Sequence, residues 1–299
     1  MYDFNSSSPT TPILQHLSPL TTNSQITSMK LIAMKLSLVI FAATVFAHGN
    51  STSRDSCLAK ILDDDTIHAP TATRKSTNWG GAVAQVAAPH TSYYAVVGSF
   101  IAPDPKPPSK AAGHGPWKGS AWVGIDGWGD GPGLFQAGIT WQVEKAKNGS
   151  LVTSFGAWHE WVPANSAGFE NFKILAGDIL TVLCQTSNSS YGVCAIHNHN
   201  TGIVVSQPMT APSAKTTLVG KHAEWIVEDF MEGVNGNPMK PVPLADFGKV
   251  EWFDCEAAAV GTKNRSSTED AFVVDMNFNE TDWTSVTTSG KNMTIKYAG

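Results

Sequence analysis

Residues 221–233 read KHAEWIVEDFMEG. The run Trp225-Ile226-Val227 has the aromatic and β-branched content of a sheet interior, yet Glu224, Glu228 and Asp229 place three acids within six residues. Side chains alternate across a strand, so Trp225 and Val227 fall on one face and Glu224, Ile226 and Glu228 on the other. The first set reads as core. The second carries carboxylates, which are rarely buried without partners and therefore mark a face that is not ordinary core.

The same split recurs upstream. In 121–126, Ala121, Val123 and Ile125 oppose Trp122, Gly124 and Asp126; in 135–140, Phe135, Ala137 and Ile139 oppose Gln136, Gly138 and Thr140; in 157–162, Trp158 and Glu160 share a face away from His159 and Trp161. One face of each run is apolar, while the other collects Trp, Gly, a carboxylate and a carboxamide. If these strands are neighbours, the second face is a cleft with aromatic walls and acids at its base, and Gly124 and Gly138 lower its floor. Taken singly, each residue has a plain reading. Trp79, Trp122, Trp158 and Trp161 serve as large β-formers, and Gln136, Glu160 and Glu224 as outward polar positions.

Short strand-like runs with turn signals between them continue from Asn78 to the end of the chain, and no amphipathic helix of ten or more residues interrupts them. This spacing predicts an all-β fold, an antiparallel two-sheet β-sandwich of the concanavalin or jelly-roll kind. The stretch Ala102–Gly119 (APDPKPPSKAAGHGPWKG) reads as an irregular loop open to proteolytic nicking.

A net charge of -5, with 20 basic residues among 299, leaves no basic stripe for nucleic acid. The N-terminus reads as targeting sequence. Residues 1–28 form a polar extension, 29–47 a signal peptide with Lys30 and Lys35 before an apolar run that ends in Val45-Phe46-Ala47, and 48–75 a propeptide closing on Arg74-Lys75. The domain then spans 76–299. The apolar run is too short to span a membrane, and sequons at Asn50, Asn148, Asn188, Asn264, Asn279 and Asn292 fit a secreted, extracellular protein. Cys184 and Cys194 flank a predicted hairpin loop and suit a local disulfide. Cys57 lies ahead of the domain and Cys255 has no evident partner. No Cys/His spacing predicts a metal site, His197 and His199 being a pair without a third ligand, and no cofactor is expected. The aspartic-protease Asp-Thr-Gly, the HExxH helix, the Gly-x-Ser-x-Gly elbow and Gly-rich phosphate loops are all missing.

Five motifs together carry a resemblance: NWGGAV (78–83), SAWVGIDG (120–127), FQAGI (135–139), AWHEWVP (157–163) and AEWIVEDF (223–230). In order and spacing they resemble the glutamic peptidases, or eqolisins, from about Ser76 to the C-terminus. The resemblance implies a β-sandwich acid endopeptidase that is pepstatin-insensitive, monomeric and free of cofactors, acting on protein and peptide substrates. It implies catalytic roles for Gln136 and for Glu228 rather than Glu224, and substrate contact by Trp79, Trp122, Asp126 and Glu160. A carboxylate at 228 could take a proton from the attacking water and return it to the leaving amine, while the amide at 136 orients that water and donates to the oxyanion. The chain departs from the family pattern in the loop after Asp126 (GWGDGPG) and at Thr140, Gly156, His159 and Val162. Two other readings fit the same face: a jelly-roll glycoside hydrolase pairing Glu160 with Glu228, and a non-catalytic lectin-like binder.

Overall fold

The computed structural model describes residues 73–86, 90–129, 131–233, 239–263 and 265–299. The predicted extension, signal peptide, nearly all of the predicted propeptide, Cys57, Asn50 and Asn264 lie outside the described residues.

In chain order the strands are β1 (Arg74–Ser76), β2 (Trp79–Gln85), β3 (Ser92–Ile101), β4 (Trp117–Ile125), β5 (Leu134–Lys145), β6 (Leu151–Val162), β7 (Ala167–Gly168), β8 (Ile179–Asn188), β9 (Tyr191–Asn198) and β10 (Ile203–Thr210). They continue with β11 (His222–Glu228), β12 (Met231–Glu232), β13 (Lys240–Pro241), β14 (Lys249–Val260), β15 (Arg265–Ser267), β16 (Phe272–Phe278), β17 (Thr281–Asp282), β18 (Thr284–Ser289) and β19 (Asn292–Tyr297). No α-helix occurs among the described residues.

Two sheets make the body. The first runs β1-β16-β2-β11-β4-β5-β6-β7, with β17 on β16; the second runs β10-β9-β8-β3-β14-β19-β18, with β15 on β14. Ala121, Val123, Phe135, Ala137, Ile139, Trp225 and Val227 of the first sheet share one buried cluster with Val96, Phe100, Leu180, Val182 and Trp252 of the second. This is the sandwich core, and Trp225 ties it together by donating from Nε1 to the Val97 carbonyl at 2.8 Å. Burying indoles of this size contributes roughly 25 cal/mol per Å² of apolar surface removed from water.

A second apolar cluster belongs to the first sheet alone. Val83, Trp122, Ile226, Phe272 and Val274, with Trp79, Trp128 and Trp158 packed against them, cover the face turned away from the other sheet. The alternation read from the sequence therefore sorts these strands correctly into a core face and a second, aromatic face.

Details differ from the sequence reading in two places. The irregular stretch ends before Trp117 rather than at Gly119, because Trp117 is buried in the core and Lys118 and Gly119 pair with β5. Among the described residues, strands pair antiparallel except at β1, which lies parallel to β16, and an isolated bridge between Lys118 and Leu244 is also parallel; Lys75 of β1 meets Asp282 at 2.6 Å and Asp275 at 3.9 Å. The 75/76 boundary expected from the basic pair thus falls inside a paired strand. Cys184 and Cys194 face each other across β8 and β9 and form the expected disulfide, while Cys255 is buried and free.

Candidate active site

The site is built from rows of side chains across β2, β11, β4, β5 and β6. Glu224 lies opposite Gly124, Gly124 opposite Gln136, and Gln136 opposite Glu160. One row along, Ile226 faces Trp122, Trp122 faces Gly138, and Gly138 faces Trp158. A further row pairs Glu228 with Trp79 on one side and Ser120 on the other. Gly138 is required here: a Cβ on it would stand 2.2 Å from the Ala121 carbonyl oxygen and 2.5 Å from Cβ of Trp122.

Glu228 has the most elaborate surroundings. Its Oε1 accepts from Asn78 Nδ2 at 3.0 Å and Trp79 Nε1 at 3.2 Å, and its Oε2 accepts from Trp122 Nε1 at 2.8 Å. Burial against the indoles pushes its pKa up to about 7; the three donors favour the charged form and oppose that rise, and the nearby Glu160 adds to it. A carboxylate oxygen accepts about two hydrogen bonds, so Oε1 is filled and Oε2 keeps one lone pair for a reacting proton.

Gln136 donates from Nε2 to Oε2 of Glu160 at 2.6 Å. Its Oε1 is buried without a protein partner, as are Oγ of Ser120 and Nε1 of Trp158 on the same face. Burial also raises the pKa of Glu160, against the hydrogen bonds from Gln136 and the Ser166 backbone. These groups form a polar strip bordered by Trp79, Trp122 and Trp158.

The remaining acids divide by access. Glu224 is 0% exposed and neither of its oxygens is paired, so it holds its proton well above the ordinary carboxyl range. Glu228, although largely enclosed, still reaches the surface. Asp126 is also buried, and its oxygens accept from the backbone N–H groups of Val219, Gly220, Lys221 and His222 at 2.7, 2.8, 2.7 and 3.4 Å. Its carboxylate is thus engaged in holding the 219–222 segment against the end of β4. His159 points to the core side against Phe169, with ring centroids 4.8 Å apart. Asn78 is the site residue that sequence reasoning did not single out. Its signal was its place beside Trp79 in NWGGAV.

Among the described residues, no group of three or more His, Cys, Asp and Glu is arranged to hold a metal ion.

Comparison with known proteins assigns the chain to a lineage. The profile of the Peptidase A4 family matches residues 77–297. Aspergillopepsin-2 from Aspergillus niger is 31% identical over 236 residues, covering 74% of this chain and 78% of the relative. Scytalidopepsin B from Scytalidium lignicola is 30% identical over 236 residues, covering 77% and 81% respectively. Among solved structures, scytalido-glutamic peptidase with a transition state analog inhibitor superposes with a TM-score of 0.62 at 28% identity, over 74% of this chain and 98% of that one. Aspergilloglutamic peptidase from Aspergillus niger superposes with a TM-score of 0.53 at 31% identity, over 61% and 99%. These matches place the chain with peptidases rather than with glycoside hydrolases or lectins. The chain belongs to the Peptidase A4 family, the glutamic peptidases or eqolisins.

Proposed function

We propose that the protein is a secreted acid endopeptidase in which Glu228 and Gln136 carry out peptide hydrolysis with water as nucleophile. The observation that carries this reading is the environment of Glu228: one carboxyl, held by three N–H donors in an aromatic niche, with a pKa of about 7 and one oxygen valence left for a proton.

In this reading Oε2 of Glu228 takes a proton from the attacking water and later returns it to the departing amine. The raised pKa makes uptake effective whenever the carboxyl is ionised. Gln136 has its Oε1 to accept from that water and a second N–H to donate to the carbonyl oxygen as it becomes negative. Glu160 anchors the amide, and Trp79 and Trp122 hold Glu228; of the two rings the half-buried Trp79 is the one open to substrate, with the fully buried Trp122 packed behind it. Because the second group is an amide, the pair does not share a proton as two adjacent carboxyls would. Insensitivity to pepstatin is part of the same reading.

Secretion is supported by the N-terminal sequence and by sequons whose asparagines are exposed at strand ends and turns: Asn148, Asn188, Asn279 and Asn292. The mature chain acts as a monomer on protein and peptide substrates, without a cofactor. A propeptide removed near Arg74-Lys75 belongs to the same reading, and the pairing of β1 with β16 supports a cut on the N-terminal side of Arg74.

The test is digestion of a protein substrate between about pH 2 and 7, bracketing the ordinary glutamate range, by wild type, Gln136→Ala and Glu228→Ala, with and without pepstatin. Cleavage by wild type alone, unaffected by pepstatin and with both variants folded, is expected. Cleavage that survives in either variant overturns the dyad.

A further inference from the structure

Glu228 pairs with Trp79 at the start of β2, whereas His222 pairs with Gln85 at its end. At that far end a cavity of ≈ 480 Å³ is lined by Arg74, Asp126, Trp128, Lys221 and His222, among others. Its described lining carries two cations and one carboxylate. The one carboxylate in this set, Asp126, already accepts from four backbone N–H groups. Among the described residues, neither Arg74 nor Lys221 forms an ion pair with an acid. The Arg74 guanidinium lies 3.7 Å above the Phe272 ring, which fixes its position without neutralising it. Burial lowers the proton affinity of His222, Asp126 opposes that, and Lys221 and Arg74 add to it, so both cations lie close enough to act on the same wall.

The cavity is joined to the candidate active site by aromatic rings. Trp128 stands 5.2 Å from Phe272 and 6.1 Å from Trp79, whose Nε1 binds Glu228. At ~3.3 Å per residue, the path along β11 from Glu228 to His222 is about 20 Å, the span of about six residues of an extended peptide.

We propose that this cavity is a remote substrate subsite that binds a carboxylate through Arg74 and Lys221, with Trp128 packing against the chain that carries it. The carboxylate comes from an Asp or Glu side chain about six residues from the cleaved bond, or from the C-terminus of a short peptide. The proposal rests on the peptidase reading and deepens it, because it gives the enzyme a preference set far from the bond it cuts. The aromatic connection comes from Trp128, in the loop where this sequence departs from the family pattern.

The experiment uses fluorogenic peptides with one common cleavage bond and a single Glu or Gln at successive positions between about four and eight residues from it. Each is made with a free and with an amidated C-terminus, and assayed near pH 5.5, above the ordinary carboxyl range. For wild type, Glu is expected to raise kcat/KM over Gln by about three- to tenfold at one position, mainly through KM. In Arg74→Gln/Lys221→Gln that ratio falls close to one while the Gln peptides are cut as by wild type. Arg74 and Lys221 are exposed, and a thermal melt checks that the double variant is folded. A gain that follows the free C-terminus instead also supports the subsite and assigns its ligand. Equal cleavage of every Glu/Gln and acid/amide pair, or a preference that survives in the double variant, overturns it. If no peptide is cut at all, the peptidase reading fails separately, and Trp fluorescence titration decides the cavity: tighter binding of the Glu peptide by wild type alone supports it, equal binding overturns it.

Discussion

The carboxamide of Gln136 is oriented by Glu160: Nε2 lies 2.6 Å from Oε2 of the glutamate, and Oε1 is turned toward the unpaired side. An amide can rotate to exchange its oxygen and nitrogen at little cost unless its partner accepts hydrogen bonds only. Glu160→Ala is therefore expected to lower kcat/KM by about ten- to a hundredfold with little change in melting temperature. Glu160→Gln retains an accepting oxygen and should lose less. Steady-state kinetics on one peptide separates the two, and equal losses would mean that Glu160 does not act through the amide.

The pH dependence of kcat/KM reports Glu228 in the free enzyme. A base whose pKa burial raises to about 7 is ionised only in part in acid, so the acid activity draws on that ionised fraction and kcat/KM climbs with pH across the acid range as an ascending limb. Removing the like charge with Glu160→Gln moves that limb toward acid. Trp122→Phe removes a donor to the charged form and moves it toward alkali. Rate profiles of the three proteins test both signs. A profile falling steadily from strongly acidic pH upward would instead make the protonated carboxyl the working form.

Stability should follow the opposite course. Glu228 rises from 4.5 to about 7 and Asp229 from 3.8 to about 7, both chiefly through burial, and the fully buried Glu224 rises further. A carboxyl whose pKa is raised by folding contributes stability that is complete below its unfolded value and disappears as pH climbs through the folded value. The melting temperature is therefore expected to be highest near pH 4 and to fall through pH 7 and beyond. Glu224→Gln, neutral at every pH, flattens that decline. Differential scanning calorimetry across this range checks it, and parallel curves for both proteins would remove Glu224 as a cause.

Two glycines of the site floor should fail in different ways. At Gly138 a new Cβ meets a backbone oxygen at 2.2 Å, which cannot move without breaking the sheet. At Gly124 it meets side-chain atoms of Trp122 at 2.9 Å, Leu134 at 3.0 Å and Gln136 at 3.3 Å. Gly138→Ala is expected to destabilise by about 3 kcal/mol or more. Gly124→Ala should cost about 1 kcal/mol while displacing Gln136 and Trp122, so it loses activity out of proportion to stability. Denaturant titration alongside kcat/KM makes the comparison.

Strand alternation in 121–126, 135–140 and 223–228 was enough to sort core from site, because a period of two is written in consecutive residues. Neighbourhood is not written that way. That Gly124 stands between Glu224 and Gln136 depends on partners about 100 residues apart, which only the folded sheet brings together. Asn78 escaped notice for the same reason: its amide meets a carboxylate 150 positions later. Asp126 lies at the end of the predicted site face, yet its four contacts are to backbone N–H groups, which have no sequence signature. The parallel pairing of β1 was equally hidden, since three residues are too few to show a period.

Those four contacts have a further consequence for how the chain assembles. Asp126 gathers the amides of residues 219–222 immediately before β11 begins, and so acts as an index mark that aligns β11 with β4. A slip of one residue would send Trp225 and Val227 outward and turn Glu224 and Glu228 into the hydrocarbon core. Asp126 thereby proofreads the strand on which the chemistry depends, and a protein lacking that carboxylate would suffer first in the fidelity of its folding.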